Sequence, residues 1–481
     1  MGSKEKKLLN PVHLINAYPQ YFMLVVVLLV GLFGIPFSTW VTLTVAGLGM
    51  GMMIFVMASG MTLTFGLMDV LNLGHGALIT AGAFFGATVV TGLGTGRWPI
   101  KLLAGLHVRP SSQTLWGIGA FSTSLVLMLI ISGILASKML RADTKQGAFN
   151  HPYQLLILFL SNIVGAASLW VFSGWSKSGF WPSELIAALT AFAAGLIVSW
   201  LTVAYRANRS LPPLCGSASN QSQLGLIGAG TAVVSIFTLH SWDWSHNFVA
   251  NMGILVPGFL IAFIGVGIVG YVFERLIIKP VYGDSFKQIL VTVGAMYIID
   301  GLLKVYWGPD QIPMSRPSTL TGGLSLGNIS VEKYRLLAGV IGLIIYWILN
   351  AIINRTKVGI LIRAGVENTE MVEALGYRIK LLYVTVFVSG AALAGMGGAM
   401  WGLYQGVVSV GLGSEMLVLI IIVIIIGGMG SIAGCLYGAL LVGLLNNYMI
   451  YMLPKVALFS SVLLMVIVLM WRPQGLKPLM K

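Results

Sequence analysis

The feature that most constrains this chain is the recurrence of apolar stretches long enough to cross a bilayer, separated by short polar intervals. They fall at about 21–37, 41–66, 69–92, 114–137, 153–174, 185–205, 223–240, 249–275, 288–304, 335–353, 381–404, 416–430, 437–453 and 458–471. A helical span needs about 20 mostly apolar residues, so 481 residues have room for all of these with short connections. The expected fold is an all-α, polytopic transmembrane helix bundle with about 14 hydrophobic segments. Composition agrees: 57% of residues are hydrophobic and only 9% charged, against roughly 45–50% and about 25% in globular proteins.

Charge and cysteine content narrow the function classes. The net charge is +14, but no basic run is interleaved with aromatic residues, so no nucleic-acid partner is expected. The sign is better explained by positive residues retained in cytoplasmic loops. The basic start, Met1 to Lys7, leads into a long apolar stretch after Tyr21 without a small-residue cleavage site, which reads as a retained first span. With a cytoplasmic N-terminus and every segment crossing, about twice as many of the 28 Lys and Arg residues fall inside as outside, and the C-terminus is also inside. Cys215 and Cys435 are too few for a disulfide framework or a thiolate metal site.

Small residues are arranged rather than scattered. Gly390, Ala394, Gly398 and Gly402 form a stripe at four-residue spacing, Gly430, Gly434 and Gly438 a second, and Gly82 with Gly86 a third. Such stripes let helix backbones approach closely in lipid. The GGMGSIAG run differs, because Gly427, Gly428 and Gly430 together weaken a helix and suggest a break or hinge.

Polar residues inside apolar segments are candidate sites. Asp69, Asn72 and His75 in GLMDVLNLGHG form a polar patch in which Asn72 and His75, three apart, can share a helical face; it reads as part of a translocation path, as a polar helix start at the cytoplasmic end, or as a histidine satisfied by a neighbouring carbonyl. Asp300 and Lys304 have the helix-supporting acid-first order and read as structural. His240, Asp243 and His246 lie among Trp242 and Trp244 of an interfacial aromatic belt, and no metal site is expected there. The chain has no phosphate-binding GxxxxGK[ST] loop, no nucleophile elbow and no HExxH helix. No catalytic residue and no cofactor of its own are expected.

The longest charged interval between two apolar segments runs from Arg355 to Lys380. Met371, Ala374 and Leu375 share one face of a short helix there, and Gly376 suits the left-handed position that ends it. Such a helix is either a solvated connection or a surface gripped by a soluble partner.

Three regions together resemble the permease subunits of branched-chain amino acid type ABC importers. They are MASGMTLTFGLMDVLNLGHGALITAGAFFGA at 57–87, ERLIIKPVYG at 274–283, and RAGVENTEMVEALGYRI at 363–379 continuing through GGMGSIAGCLYGALLVG to RPQGL at 472–476. The resemblance implies that Arg363, Ala364, Glu367, Asn368, Met371, Ala374, Leu375 and Gly376 form a coupling helix that docks on separate ATP-binding subunits, which would use ATP. It implies a second homologous permease subunit, an external or periplasmic solute-binding protein and a bacterial inner-membrane location. Asn72, His75, Gly427, Gly428 and Gly430 would lie on the translocation path or act as a hinge. The resemblance covers about 40–93 and 247–481, which divides the chain into an N-terminal part of the permease core (1–93), an inserted membrane region of about four spans (94–246) and a C-terminal part (247–481) with the coupling helix at 363–376. A channel or ion-coupled secondary transporter is the alternative, and it would require intramembrane carboxylates facing a cavity.

Overall fold

Proline, glycine and a few side-chain caps punctuate the apolar chain into helices. The computed structural model describes residues 19–68, 72–95, 243–281, 284–326, 329–367, 369–376 and 379–477. Helix α1 (Pro19–Gly34) stops before Pro36, whose carbonyl accepts from Trp40 N at 2.8 Å and opens α2 (Phe37–Met68). Helix α3 is His75–Thr95, and α4 (Asp243–Phe273) carries Pro257 and runs on into a π turn, Glu274–Ile278, and a 3-10 turn, Lys279–Val281. Helix α5 (Ser285–Trp307) is capped by Asp284, which accepts from Lys287 N at 3.1 Å, and it ends at Gly308 with φ 98°. Short strands follow: β1 (Ile312–Pro313), then β2 (Gly323–Leu326) and β3 (Ile329–Glu332) as an antiparallel hairpin. Then come α6 (Lys333–Arg355), α7 (Lys357–Glu367), α8 (Thr369–Ala374) and α9 (Ile379–Gln405). Strand β4 (Val407–Val408) pairs with β1, and α10 (Leu412–Gly427), α11 (Ile432–Met452) and α12 (Ala457–Trp471) complete the described chain.

Ten of the fourteen expected apolar segments fall on described residues, and each is helical. The four at about 114–137, 153–174, 185–205 and 223–240 lie outside the described residues, as does nearly all of the 94–246 region. Among the described residues, seven helices are long and apolar enough to cross a membrane, with α1, α10 and α12 as shorter apolar helices. The chain is a multi-pass membrane protein built from α-helices.

Chain direction gives the bundle two ends. The β2–β3 hairpin, the β1–β4 pair and the α11–α12 turn lie at one, called the hairpin end; α7, α8 and the α10–α11 turn lie at the other, called the connector end. The centre is made by α2, α3, α4, α9 and α11, and its glycine stripes lie at backbone contacts. A methyl group on Gly398 would collide with the Ile79 carbonyl, and one on Gly82 with the backbone of Gly395. Gly390 meets Gly60 O at 2.6 Å from the same notional atom, and Gly443 meets Gly47 O at 2.5 Å. In lipid, helix association rests on such close packing, because burial of apolar surface gives no drive. By contrast α5 and α6 are peripheral, with Tyr297, Ile298, Val305, Leu343 and Trp347 exposed on faces suited to acyl chains.

At the start of α5, hydrogen bonds from Lys287 hold the Asp284 carboxyl below its ordinary range. A depressed folded value means that the cap contributes at neutral pH and is lost only as pH falls through that value. The protection of the Lys287 amide against exchange, relative to an unstructured amide at the same pH, is therefore expected to fall only in acid, and Asp284→Ala should lower it at neutral pH as well.

Candidate functional site

Four features stand out from the apolar bundle. The first is the start of α3. Helix α2 passes Gly60 and continues to Met68, yet α3 begins beside Gly60: a methyl on Gly60 would lie 3.2 Å from His75 Cε1. At 1.5 Å per residue, α2 extends about 12 Å beyond that level, and α9 starts about 16 Å before Gly390, which touches Gly60. In a hydrocarbon core about 30 Å thick, α3 starts near the middle. His75 Nε2 lies 3.1 Å from Met57 O, and since a carbonyl only accepts, this nitrogen carries the proton and ties α3 to α2. Asn72 precedes the helix and does not share a helical face with His75; its carbonyl accepts from His75 N at 3.1 Å. Its side chain is buried, and neither Oδ1 nor Nδ2 has a partner among the described residues. The polar helix start expected at the cytoplasmic end thus lies deep in the bundle; Asp69 is outside the described residues.

The second feature is the connector between α6 and α9. The described helices there are α7 and α8, with Asn368 between them outside the described residues; Thr356 opens α7, its Oγ1 accepting from Gly359 N at 3.4 Å and its carbonyl from Ile360 N at 3.3 Å. Arg363, Ala364 and Glu367 lie in α7 and Met371 and Ala374 in α8. Gly376 has φ 85°, and its N–H donates to Glu373 O at 2.9 Å. The face turned into the protein is that of Val372, 2% exposed, which the spacing argument did not single out. Met371 (60% exposed), Ala374 and Leu375 (70%) are open to the outside.

The third feature is the α10–α11 corner. Gly427 ends α10, and Gly428 and Gly430 take φ of 101° and 79°, values that L side chains rarely adopt. The C-terminal RPQGL segment closes over it, with Leu476 N donating to Ile426 O and Lys477 N to Gly427 O, both at 2.9 Å. The glycine cluster is thus held by the tail, in a corner that Ser431 caps by accepting from Gly434 N at 3.1 Å.

The fourth lies at the hairpin end and was not singled out in the sequence. Glu332 accepts from Arg335 Nε at 2.8 Å and pairs with Arg316. Arg316 also donates to the carbonyls of Leu403 and Tyr404; Arg335 donates to Asn447 Oδ1 and Tyr404 OH, each at 2.9 Å. The guanidinium carbons lie 5.3 Å from the Tyr334 ring centre for Arg316 and 5.0 Å from that of Tyr404 for Arg335. One carboxylate and two guanidinium groups thereby fasten the hairpin to α6, α9 and α11. The available signal was Glu332 three residues before Arg335, at the mouth of an apolar segment in a chain with only 14 acidic residues.

Comparison with known proteins bears on the bundle as a whole. The family model described as branched-chain amino acid transport system / permease component matches residues 218–471, more than half of the chain. The chain belongs to this permease family. Among its relatives is the high-affinity branched-chain amino acid transport system permease protein BraD of Pseudomonas aeruginosa, 25% identical over 217 residues, covering 43% of this chain and 69% of BraD. The permease proteins LivH of Salmonella typhimurium and of Escherichia coli strain K12 are each 23% identical over 230 residues, covering 46% of this chain and 74% of theirs. No solved structure matches the chain. The family match begins inside the region set apart as an insert and does not reach α1, α2 or α3, although α2 and α3 pack directly on α9 in the centre of this permease.

Proposed function

We propose that this permease is the membrane subunit of an ATP-driven importer for branched-chain amino acids or a related small polar solute. It forms the translocation path with a second homologous permease subunit and receives the solute from an external binding protein. ATP is bound and hydrolysed on separate subunits that dock at the connector end, in the bacterial cytoplasm, so that both termini of the permease are cytoplasmic. Arg363, Ala364, Glu367, Asn368, Met371, Ala374, Leu375 and Gly376 belong to the docking element, and closure of the nucleotide subunits moves it as a lever. Residues 1–93 and 247–481 form the core, with 94–246 inserted between them.

The observation that carries this reading is the open apolar pair Met371 and Leu375 on a connector whose own buried anchor is Val372. The branched-chain amino acid transport named for BraD and LivH supports the solute class, and the sequence, which lacks a phosphate-binding loop, supports separate ATPases. Covering two large apolar side chains contributes about 3 kcal/mol, or about 100-fold in affinity. The double variant Met371→Asp, Leu375→Asp is therefore expected to lose co-purification with the ATPase subunits and ATP-dependent uptake, while the permease itself keeps its melting temperature. Unchanged association and uptake would remove this reading. Uptake that survives ATP depletion and collapses with an ion gradient would put a channel or ion-coupled transporter in its place.

A further inference from the structure

We propose that the first turn of α3, together with Asn72, is a carboxylate subsite for the solute as it passes the middle of the membrane. This rests on the transport reading above and narrows it, since of amino acids, small carboxylates, urea and short amides only the first two carry the group this site would take.

The first turn of α3 has unmet hydrogen-bonding capacity. A helix leaves its first amide groups without intrahelical acceptors. In α3 the His75 N–H is taken by Asn72 O and the Gly74 carbonyl by Leu78 N at 3.3 Å, but no described residue accepts from Gly76 N or Ala77 N. At a membrane surface, water would satisfy them. Here the helix starts at the level of Gly60, deep in the bundle, where the cost of leaving them bare is highest. These amides and the positive end of the helix dipole favour an anion.

Asn72 supplies the second and independent observation. Its side chain is 1% exposed, both polar atoms lack a partner among the described residues, and Oδ1 lies 3.0 Å from where a methyl on Gly74 would stand, so the amide sits over the residue that precedes the helix. Gly74 and Gly76 let Phe273 and the Gly413 backbone pack closely against this turn. A methyl on Gly74 would lie 2.5 Å from Phe273 Cζ, and one on Gly76 would lie 2.8 Å from Gly413 O. The buried Glu274 that follows Phe273 lies 3.9 Å from Arg275. Asn72 Nδ2 and the Gly76 and Ala77 amides are the unmet donors at this helix start, of the kind that the oxygens of a carboxylate accept from. His75, engaged with Met57 O, positions the turn and does not bind. Discontinuous membrane helices whose N-termini face anionic groups of a solute are a recurrent transporter device.

Asn72→Asp separates this role from a structural one. The Asn72 main-chain carbonyl, not its side chain, accepts from His75 N, and Asp keeps that carbonyl, so if residue 72 only starts α3 the variant should fold and transport normally. If the turn receives a carboxylate, the new one occupies and repels it. The test uses membrane vesicles from cells producing the full chain with its ATPase and binding-protein subunits, with radiolabelled leucine, butyrate and urea as probes. The wild type is expected to take up leucine or butyrate but not urea. Asn72→Asp should keep subunit association while losing at least tenfold in uptake. Should that variant fail to assemble, Asn72→Ala is expected to raise the half-saturating solute concentration at least fivefold. Uptake by Asn72→Asp within twofold of wild type, an unchanged half-saturation in Asn72→Ala, or urea carried as fast as leucine would each overturn the subsite and leave the importer reading standing. Absence of any ATP-dependent uptake by the wild type would instead remove both.

Discussion

Replacing Gly398 by valine is expected to prevent the permease from forming its native bundle. The first added carbon would collide with the Ile79 carbonyl, in the middle of the α3–α9 contact, and a main-chain oxygen cannot move aside as a flexible side chain can. Overpacking a core by a methylene or two costs about 1–3 kcal/mol when neighbours can shift. Here two helix backbones must separate along their length, and the dispersion contacts of the Gly390–Gly402 stripe go with them. The expected outcome in detergent is loss of the monodisperse species on size-exclusion chromatography. Gly294 and Gly301 on peripheral α5 are the control, because nothing lies within 4 Å of a methyl on either. Alanine there should be tolerated and should stabilise the helix by up to about 1 kcal/mol. A Gly398→Val protein with a wild-type elution profile and melting temperature would contradict the packing described.

Glu332→Gln is the second change with a large expected effect. The carboxylate meets both Arg316 and Arg335, and the three side chains are only 17–29% exposed. Without its charge, two guanidinium groups face each other across a neutral amide. Removing one partner of a mostly buried pair costs about 3–5 kcal/mol, and the partial exposure places this site near the lower figure. Thermal denaturation should show a clear drop in midpoint, accompanied by proteolytic sensitivity of the β2–β3 hairpin. Arg316→Lys is expected to be harmful as well, since an ammonium cannot reach Glu332 and the carbonyls of Leu403 and Tyr404 with one planar fork. A midpoint within one degree or so of wild type for Glu332→Gln would show that the network is incidental.

Much of this protein was readable from the chain. Apolar length decides that a segment is a helix, because lipid offers no other partner for the backbone, and every expected segment on described residues is one. The glycine stripes and the left-handed Gly376 follow from spacing and from the absence of a Cβ, and the motifs at 274–283 and 363–379 carry the family. Which side of a helix faces inward is another matter. When the surroundings are as apolar as the core, periodicity loses its meaning. On the α7–α8 connector the difficulty is different: the spacing of Met371, Ala374 and Leu375 marked an apolar face, but Val372 beside it is apolar too, and spacing alone could not show that Val372 is the residue buried against the protein.

Tertiary structure alone decided three things. It set the depth at which α3 begins, since Gly60 must meet Gly390 at backbone distance and His75 must reach Met57 O. Arg316, Glu332, Arg335, Tyr404 and Asn447 converge only through contacts between residues far apart in the chain, which no local pattern encodes. At the α10–α11 corner it fixed the glycines under the C-terminal tail, where the sequence left a break or a hinge open. Helices were legible because their hydrogen bonds are local and lipid enforces them. The depth of a helix start, the inward face of α8 and the partners of a buried charge were not, because each is set by which backbones can approach most closely once all the helices are assembled.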